Sequence, residues 1–120
     1  MNLAHAGGPT AGAGQVCVYG EAGRRQRGTW VRFGLCLQGA AIALARYRAY
    51  GCPHTLAVCE WLAQALEAGH QASLGTPEDW CGALGIPIVK LGRLLVVEDA
   101  IRAALAAAAA HAAGDETVVK

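Results

Sequence analysis

Residues 29–53 read TWVRFGLCLQGAAIALARYRAYGCP, and this stretch decides the fold. Val31, Phe33, Leu35 and Leu37 fall on alternate positions of Thr29–Leu37, the period of a half-buried strand. A second run, Ala41–Tyr50, sets Ile42 and Leu44 against Ala43, Ala45 and Tyr47. Gln38-Gly39 supplies a tight turn between them, which predicts an antiparallel hairpin. At Gly51-Cys52-Pro53 the period changes. Leu56, Cys59, Leu62 and Leu66 then recur at helical spacing until Gly69, with Pro53 suited to the first helical position.

Working outward, Gln15–Tyr19 predicts an earlier short strand, joined to the hairpin through residues 21–28. After the first helix, Thr76-Pro77-Glu78-Asp79 is a capping sequence that opens a short helix ending at Gly85. Ile86-Pro87-Ile88-Val89-Lys90 should run extended around its proline. A last helix is expected over 94–113, with Leu94, Val97, Ile101 and Leu105 on one face, a Glu98–Arg102 pair, and Gly114 as its stop. The order β-β-β-α-α-α predicts an α+β domain, a three-stranded antiparallel sheet with helices on one face. Residues 1–14 read as a flexible lead-in, 15–113 as the domain and 114–120 as a tail.

Composition narrows the function. With 120 residues the chain is one small domain, and 54% hydrophobic residues are enough for a core. A net charge of +1 and 6% aromatics give no support for a nucleic-acid partner. No apolar stretch approaches the roughly 20 residues of a membrane span. The first residues lack a basic region and an apolar run, which predicts a cytoplasmic protein. The five cysteines are an odd number without a C-x-x-C pair, so no disulfide framework is expected. Cys17, Cys36 and Cys59 read as core filler, and Cys81 stays open.

Cys52 stands apart. At a strand-to-helix junction its thiol meets the positive end of a helix, which favours the thiolate. Such a thiolate accepts sulfur, ligates a metal or acts as a nucleophile; the plain alternative is a structural thiol. His54, in the next turn, is a candidate second ligand or a solvent-facing side chain. A structural zinc site needs about four ligands, and Cys52, His54 and Cys81 are the only candidates. A cysteine hydrolase needs a paired base that no motif identifies. Arg24, Arg25 and Arg27, joined by Arg32, could dock an acidic partner or a phosphate, or simply keep the surface soluble.

Two segments carry a family resemblance. Ala45-Arg46-Tyr47-Arg48-Ala49-Tyr50-Gly51-Cys52 resembles the strand leading into the central Gly-Cys of the IscU/NifU N-terminal iron–sulfur scaffold family. Ile86-Pro87-Ile88-Val89-Lys90-Leu91, with Glu98-Asp99-Ala100-Ile101-Arg102-Ala103-Ala104-Leu105 beyond it, is similar to that family's Leu-Pro-Pro-Val-Lys segment and closing helix. The resemblance spans about Gln15 to Ala113. It implies a non-enzymatic scaffold for iron–sulfur cluster assembly, with a cysteine desulfurase and an Hsp70-type chaperone as partners and an iron–sulfur cluster or iron as cargo.

The family's ligand set is mostly replaced. Of its Cys-Gly-Asp, Gly-Cys and His-Cys contexts only the middle one remains, as Cys52. Gln26, or with one residue less Arg27, stands at the first cysteine, and Gly92-Arg93 stands at His-Cys. One thiolate per chain, or two in a symmetric homodimer, falls short of the four a cluster ordinarily takes. Cations there repel iron and stabilise a thiolate or persulfide at Cys52. Of the chaperone signal Pro87, Val89 and Lys90 remain, while Ile88 replaces its second proline. The expectation is a scaffold-like protein that handles sulfur or iron transiently at Cys52. The alternative is a non-catalytic regulator that competes for scaffold partners.

Overall fold

The computed structural model describes residues 4–10, 12 and 14–117. Three strands form one antiparallel sheet in the order of the chain: β1 (Val16–Arg24), β2 (Thr29–Gln38) and β3 (Ala41–Tyr50). Three helices follow: α1 (Pro53–Glu67), α2 (Pro77–Leu84) and α3 (Leu91–Thr117). The architecture is α+β.

Alternation along β2 turns Val31, Phe33, Leu35 and Leu37 to one face, where all four are buried. Against that face lie Val58, Leu62 and Leu66 of α1 and Leu94, Val97 and Ile101 of α3. The helix α2 leans chiefly on α3. Its buried Trp80 donates Nε1–H to the Leu74 carbonyl at 2.6 Å. The expected capping box closes at its start, Asp79 N–H donating to the Thr76 hydroxyl and Thr76 N–H to the Asp79 carboxylate. The long helix α3 crosses β1 so closely that Gly20 is obligatory. A Cβ there would lie 2.0 Å from the Ala104 nitrogen and 2.6 Å from the Ala100 oxygen.

Several expectations need correction. β1 does not end near Tyr19 but runs to Arg24, because Gly20–Arg24 pair in register with Thr29–Phe33. The connection shrinks to a 3₁₀ turn, Arg25–Arg27, closed by Gly28. The β2–β3 pairing shifts between Cys36 and Leu37 of β2, leaving Ala43 of β3 as an extra residue and breaking strict alternation. Ile42 therefore pairs with buried Leu37, and Leu44 opposes Cys36 on the other face. Ile86–Lys90 is not extended throughout. Pro87 is (φ −59°, ψ 138°), but Ile88–Lys90 form a 3₁₀ turn that leads straight into α3. That turn starts α3 at Leu91, and α3 also runs past Gly114 to Thr117. The alanine tract before Gly114 has the highest helix propensity of any residue and carries the helix through the roughly 1 kcal/mol cost of one glycine. Part of the expected tail is thus helix, and residues 118–120 lie outside the described residues.

The same register sets Cys17 directly opposite Cys36, on the sheet face away from the helices. The two form a disulfide, with Cα atoms 4.0 Å apart, instead of being separate core thiols. Neither the odd cysteine count nor the strand composition carries that pairing; the register does.

The expected flexible lead-in is in part tied down, and its residues 1–3, 11 and 13 lie outside the described residues. Tyr47 N–H donates to the His5 carbonyl at 3.1 Å and Gly7 N–H to the Tyr47 carbonyl at 2.7 Å, so the segment adds to the free edge of β3. It then crosses the outer face, where Pro9 sits on Gly34; a Cβ on Gly34 would be 2.6 Å from Pro9 Cγ. The anchor of this strap is His5. Its Nδ1 meets the Glu60 carboxylate, its Nε2 lies 2.9 Å from Glu67 Oε1, and its backbone N–H donates to Glu60 Oε1 at 3.0 Å.

No helix among the described residues is long and apolar enough to cross a membrane.

Candidate functional site

Three segments meet at one end of the sheet. Trp30 pairs with Tyr50, so the turn joining β1 to β2 and the junction joining β3 to α1 come to the same end. Gly23, near the end of β1, lies under Val96 of α3, with room for no side chain between them. The first turn of α3 is thereby placed beside the arginine turn.

Cys52 is the N-cap of α1, with extended backbone (φ −77°, ψ 167°) and Pro53 at the first helical position. Its carbonyl accepts from Leu56 N–H at 3.3 Å, and its half-buried thiol lies 3.6 Å from the Thr55 hydroxyl. Burial alone would raise the thiol pKa. The Thr55 hydroxyl and amide, the Arg93 guanidinium and the His54 amide outweigh burial and bring it down to about 7. Among the described residues, the Thr55 hydroxyl is the side-chain group within hydrogen-bond reach of the sulfur. The amides act through their dipoles, since no cap hydrogen bond closes onto the sulfur.

At the same end of the sheet is a cleft of about 530 Å³ lined by Gly23, Arg24, Arg27, Thr29, Gly92, Arg93 and Val96, with Cys52 outside its lining. Arg93 belongs to both places: it forms part of the cleft wall and acts on the Cys52 sulfur. Among the described residues no carboxylate pairs with Arg24, Arg27 or Arg93. Arg25, in the same turn, is otherwise engaged, its guanidinium 4.8 Å from the centre of the Trp30 ring. Arg32 likewise lies 5.3 Å over Tyr19.

The structure therefore gathers Cys52, Arg27 and Arg93, the positions the resemblance singles out, at one end of the fold. It does not gather metal ligands. Among the described residues no group of three or more His, Cys, Asp and Glu side chains is placed to hold a metal ion. Cys59 is fully buried in the core, where burial and the Glu60 charge push its thiol far above the usual range. Cys81, left open by the sequence, is buried in α2. His54 is half-buried and offers Cys52 its backbone amide.

The remnant of the chaperone signal is on the surface: Ile88 is 62% and Val89 83% exposed, while Lys90 N–H donates to the Pro87 carbonyl at 2.9 Å. An extended-chain receptor must open that turn first. A peptide spanning residues 84–92 should accordingly bind an Hsp70-type chaperone weakly, and Ile88→Pro should tighten it by removing free-chain conformations. Titration of both peptides checks this, and equal affinities would show a working signal.

The sequence marks Arg24 as part of an anion-docking cluster but not as a neighbour of Cys52, and it does not mark Thr55. A buried threonine three residues after an N-cap cysteine is a local signal that was there to read; Arg24 joins only through the register of β1. The chain matches no protein-family model and no curated protein.

Proposed function

We propose that the chain is a divergent relative of the IscU/NifU N-terminal scaffolds that takes up sulfur transiently at Cys52 and holds no stable iron–sulfur cluster. One observation carries this reading: a helix-capping thiol with a pKa of about 7 beside Arg93 and an arginine-lined cleft. A thiolate is what attacks a persulfide, and a nearby guanidinium favours the anionic persulfide that results. The same cations disfavour iron. A cluster needs about four thiolates or close substitutes, and the site offers one per chain, so the residues present do not fit a resident cluster.

On this reading a cysteine desulfurase supplies the sulfur, iron is at most passing cargo, and the protein is a carrier and not an enzyme. A homodimer would bring two Cys52 thiolates together and still leave the set incomplete. A cytoplasmic location belongs to the same reading, and the Cys17–Cys36 disulfide is the feature that speaks against a reducing compartment.

The test is incubation with a desulfurase and cysteine, followed by mass spectrometry of the Cys52 peptide. A gain of one sulfur atom, absent in Cys52→Ser, is expected. Anaerobic reconstitution with iron and sulfide should leave the protein colourless with substoichiometric iron. A stable brown cluster at about one per chain, lost in Cys52→Ser, would overturn the reading.

The absence of a metal-ligating group among the described residues favours one second reading, a regulator that competes for the desulfurase without accepting sulfur. That protein would bind the desulfurase equally well as Cys52→Ser and gain no mass.

A further inference from the structure

We propose that the arginine-lined cleft beside Cys52 binds a small doubly charged sulfur oxyanion of the thiosulfonate class, thiosulfate being the simplest, and presents its outer sulfur to the Cys52 thiolate. The proposal rests on the sulfur-accepting reading of Cys52 and adds the chemical class of a donor.

Charge is the first argument. Arg24, Arg27 and Arg93 line one cavity, and among the described residues none of them is paired with a carboxylate. Exposed guanidinium groups that line one cleft without a counter-charge repel one another, and a dianion relieves that repulsion and can accept charge-assisted hydrogen bonds from them. Position is the second argument. Thr29 of the cleft wall precedes Trp30, which pairs with Tyr50 two residues before Cys52, so the cleft and the nucleophile share one end of the sheet, and Arg93 of that wall also acts on the thiol.

Reactivity then selects within the class. Phosphate and sulfate satisfy the cations but offer a thiolate nothing to attack. Thiosulfate carries a sulfur bonded to a good leaving group. The Cys52 thiolate attacks the outer sulfur, a new S–S bond forms, the S–S bond to the sulfonate breaks, and sulfite leaves with that electron pair. The products are one persulfide anion and one sulfite dianion, with no net oxidation and no further reactant. Negative charge moves onto the departing sulfite in the transition state, where the arginines already are.

The experiment incubates the full chain with thiosulfate and follows the mass of the Cys52 peptide and the sulfite released. One sulfur gained per sulfite is expected, with sulfate as a competitor. Arg27→Gln should slow loading by about tenfold, the loss of one charge-assisted contact. Arg25→Gln removes the same charge from the same turn but not from the cleft, and should stay within about twofold. An uncharged dialkyl trisulfide serves as a second donor. The Cys52 thiolate forms a new S–S bond, an alkyl thiolate or alkyl persulfide leaves, and the Cys52 peptide gains the corresponding alkyl-sulfur mass. The rate is expected to be equal in wild type, Arg25→Gln and Arg27→Gln. Arg93→Gln is judged on the ratio of thiosulfate to trisulfide rates, because that guanidinium also acts on the thiol. Loading from trisulfide but not from thiosulfate overturns the proposal and leaves the sulfur-accepting reading standing. Equal slowing by Arg25→Gln and Arg27→Gln overturns the cleft as the binding site. Loading from neither donor overturns both.

Discussion

Glu60→Ala is expected to destabilise the protein by about 3 kcal/mol, roughly 10 °C in Tm for a domain of this size. Glu60 is 4% exposed in the middle of α1, and its carboxylate is held from four directions. It accepts from His5 N–H at 3.0 Å, from Tyr47 Oη–H at 3.1 Å and from Gln64 Nε2–H at 2.9 Å, and it meets His5 Nδ1. Truncation leaves the buried Tyr47 hydroxyl and His5 Nδ1 without their acceptor, which is why the cost exceeds that of an ordinary surface ion pair. It also frees the segment that covers the edge of β3.

The same cluster sets a pH window. Burial pulls the His5 pKa down, but hydrogen bonds and charge from Glu60 and Glu67 win, and the pKa lies above its ordinary 6.5. Burial pushes both glutamates up, yet their hydrogen bonds and His5 hold them below the ordinary 4.5. For Glu67 those bonds come from Ala45 N–H at 2.7 Å, His5 and Arg46. The histidine's contribution is therefore complete below 6.5 and fades as pH rises through its raised value. That of the glutamates is complete above 4.5 and fades as pH falls through their lowered values. Wild type and His5→Gln should differ most in Tm between pH 4.5 and 6.5 and converge in alkali. Convergence stays partial, because the neutral His5 ring of wild type still donates one hydrogen bond to a facing carboxylate. A difference of the same size in acid and alkali would mean that no charged histidine holds the strap.

This cluster also marks where the sequence ran out. A glutamate beside Cys59 on the apolar face of α1, with another seven residues on, was visible as a conflict of pattern. Its partner was not, because His5 is remote in sequence and sits in a glycine-rich segment with no period of its own. The hairpin was legible because Val31, Phe33, Leu35 and Leu37 alternate, whereas Gly20–Arg24 carry two glycines and no β-branched residue, and only pairing with β2 makes them a strand. Misjudging that boundary hid the disulfide, since the register that pairs Arg24 with Thr29 also faces Cys17 with Cys36. The site divides in the same way. Gly51-Cys52-Pro53 announces a capped helix from local chemistry alone. That Arg27 and Arg93 share a cleft, with Arg24 beside them, depends on where α3 crosses β1, and no local signal encodes that crossing.

Cys52 should be the first cysteine to react with iodoacetamide at neutral pH, ahead of Cys59 by at least about a hundredfold. With a pKa of about 7 the Cys52 thiol is half ionised at neutrality, against about one part in a hundred for a thiol at the ordinary 9.0. A less basic thiolate is also a weaker nucleophile, by about tenfold over two pKa units, so the advantage over an ordinary exposed thiol is about fivefold. Burial decides the rest. Cys59 is fully buried, with its pKa raised by desolvation and by Glu60, and reacts only when the core opens. Cys17 and Cys36 are joined and do not react until reduced. The rate at Cys52 should climb with pH through about 7 and then level off. Thr55→Val should move that midpoint upward, and Arg93→Gln should move it upward by less, since the threonine is the thiol's direct partner. Peptide mapping against time and pH measures all of this. If Cys52 is labelled last, or its rate is still climbing through 9.0, the thiol is an ordinary one and has no claim to accept sulfur.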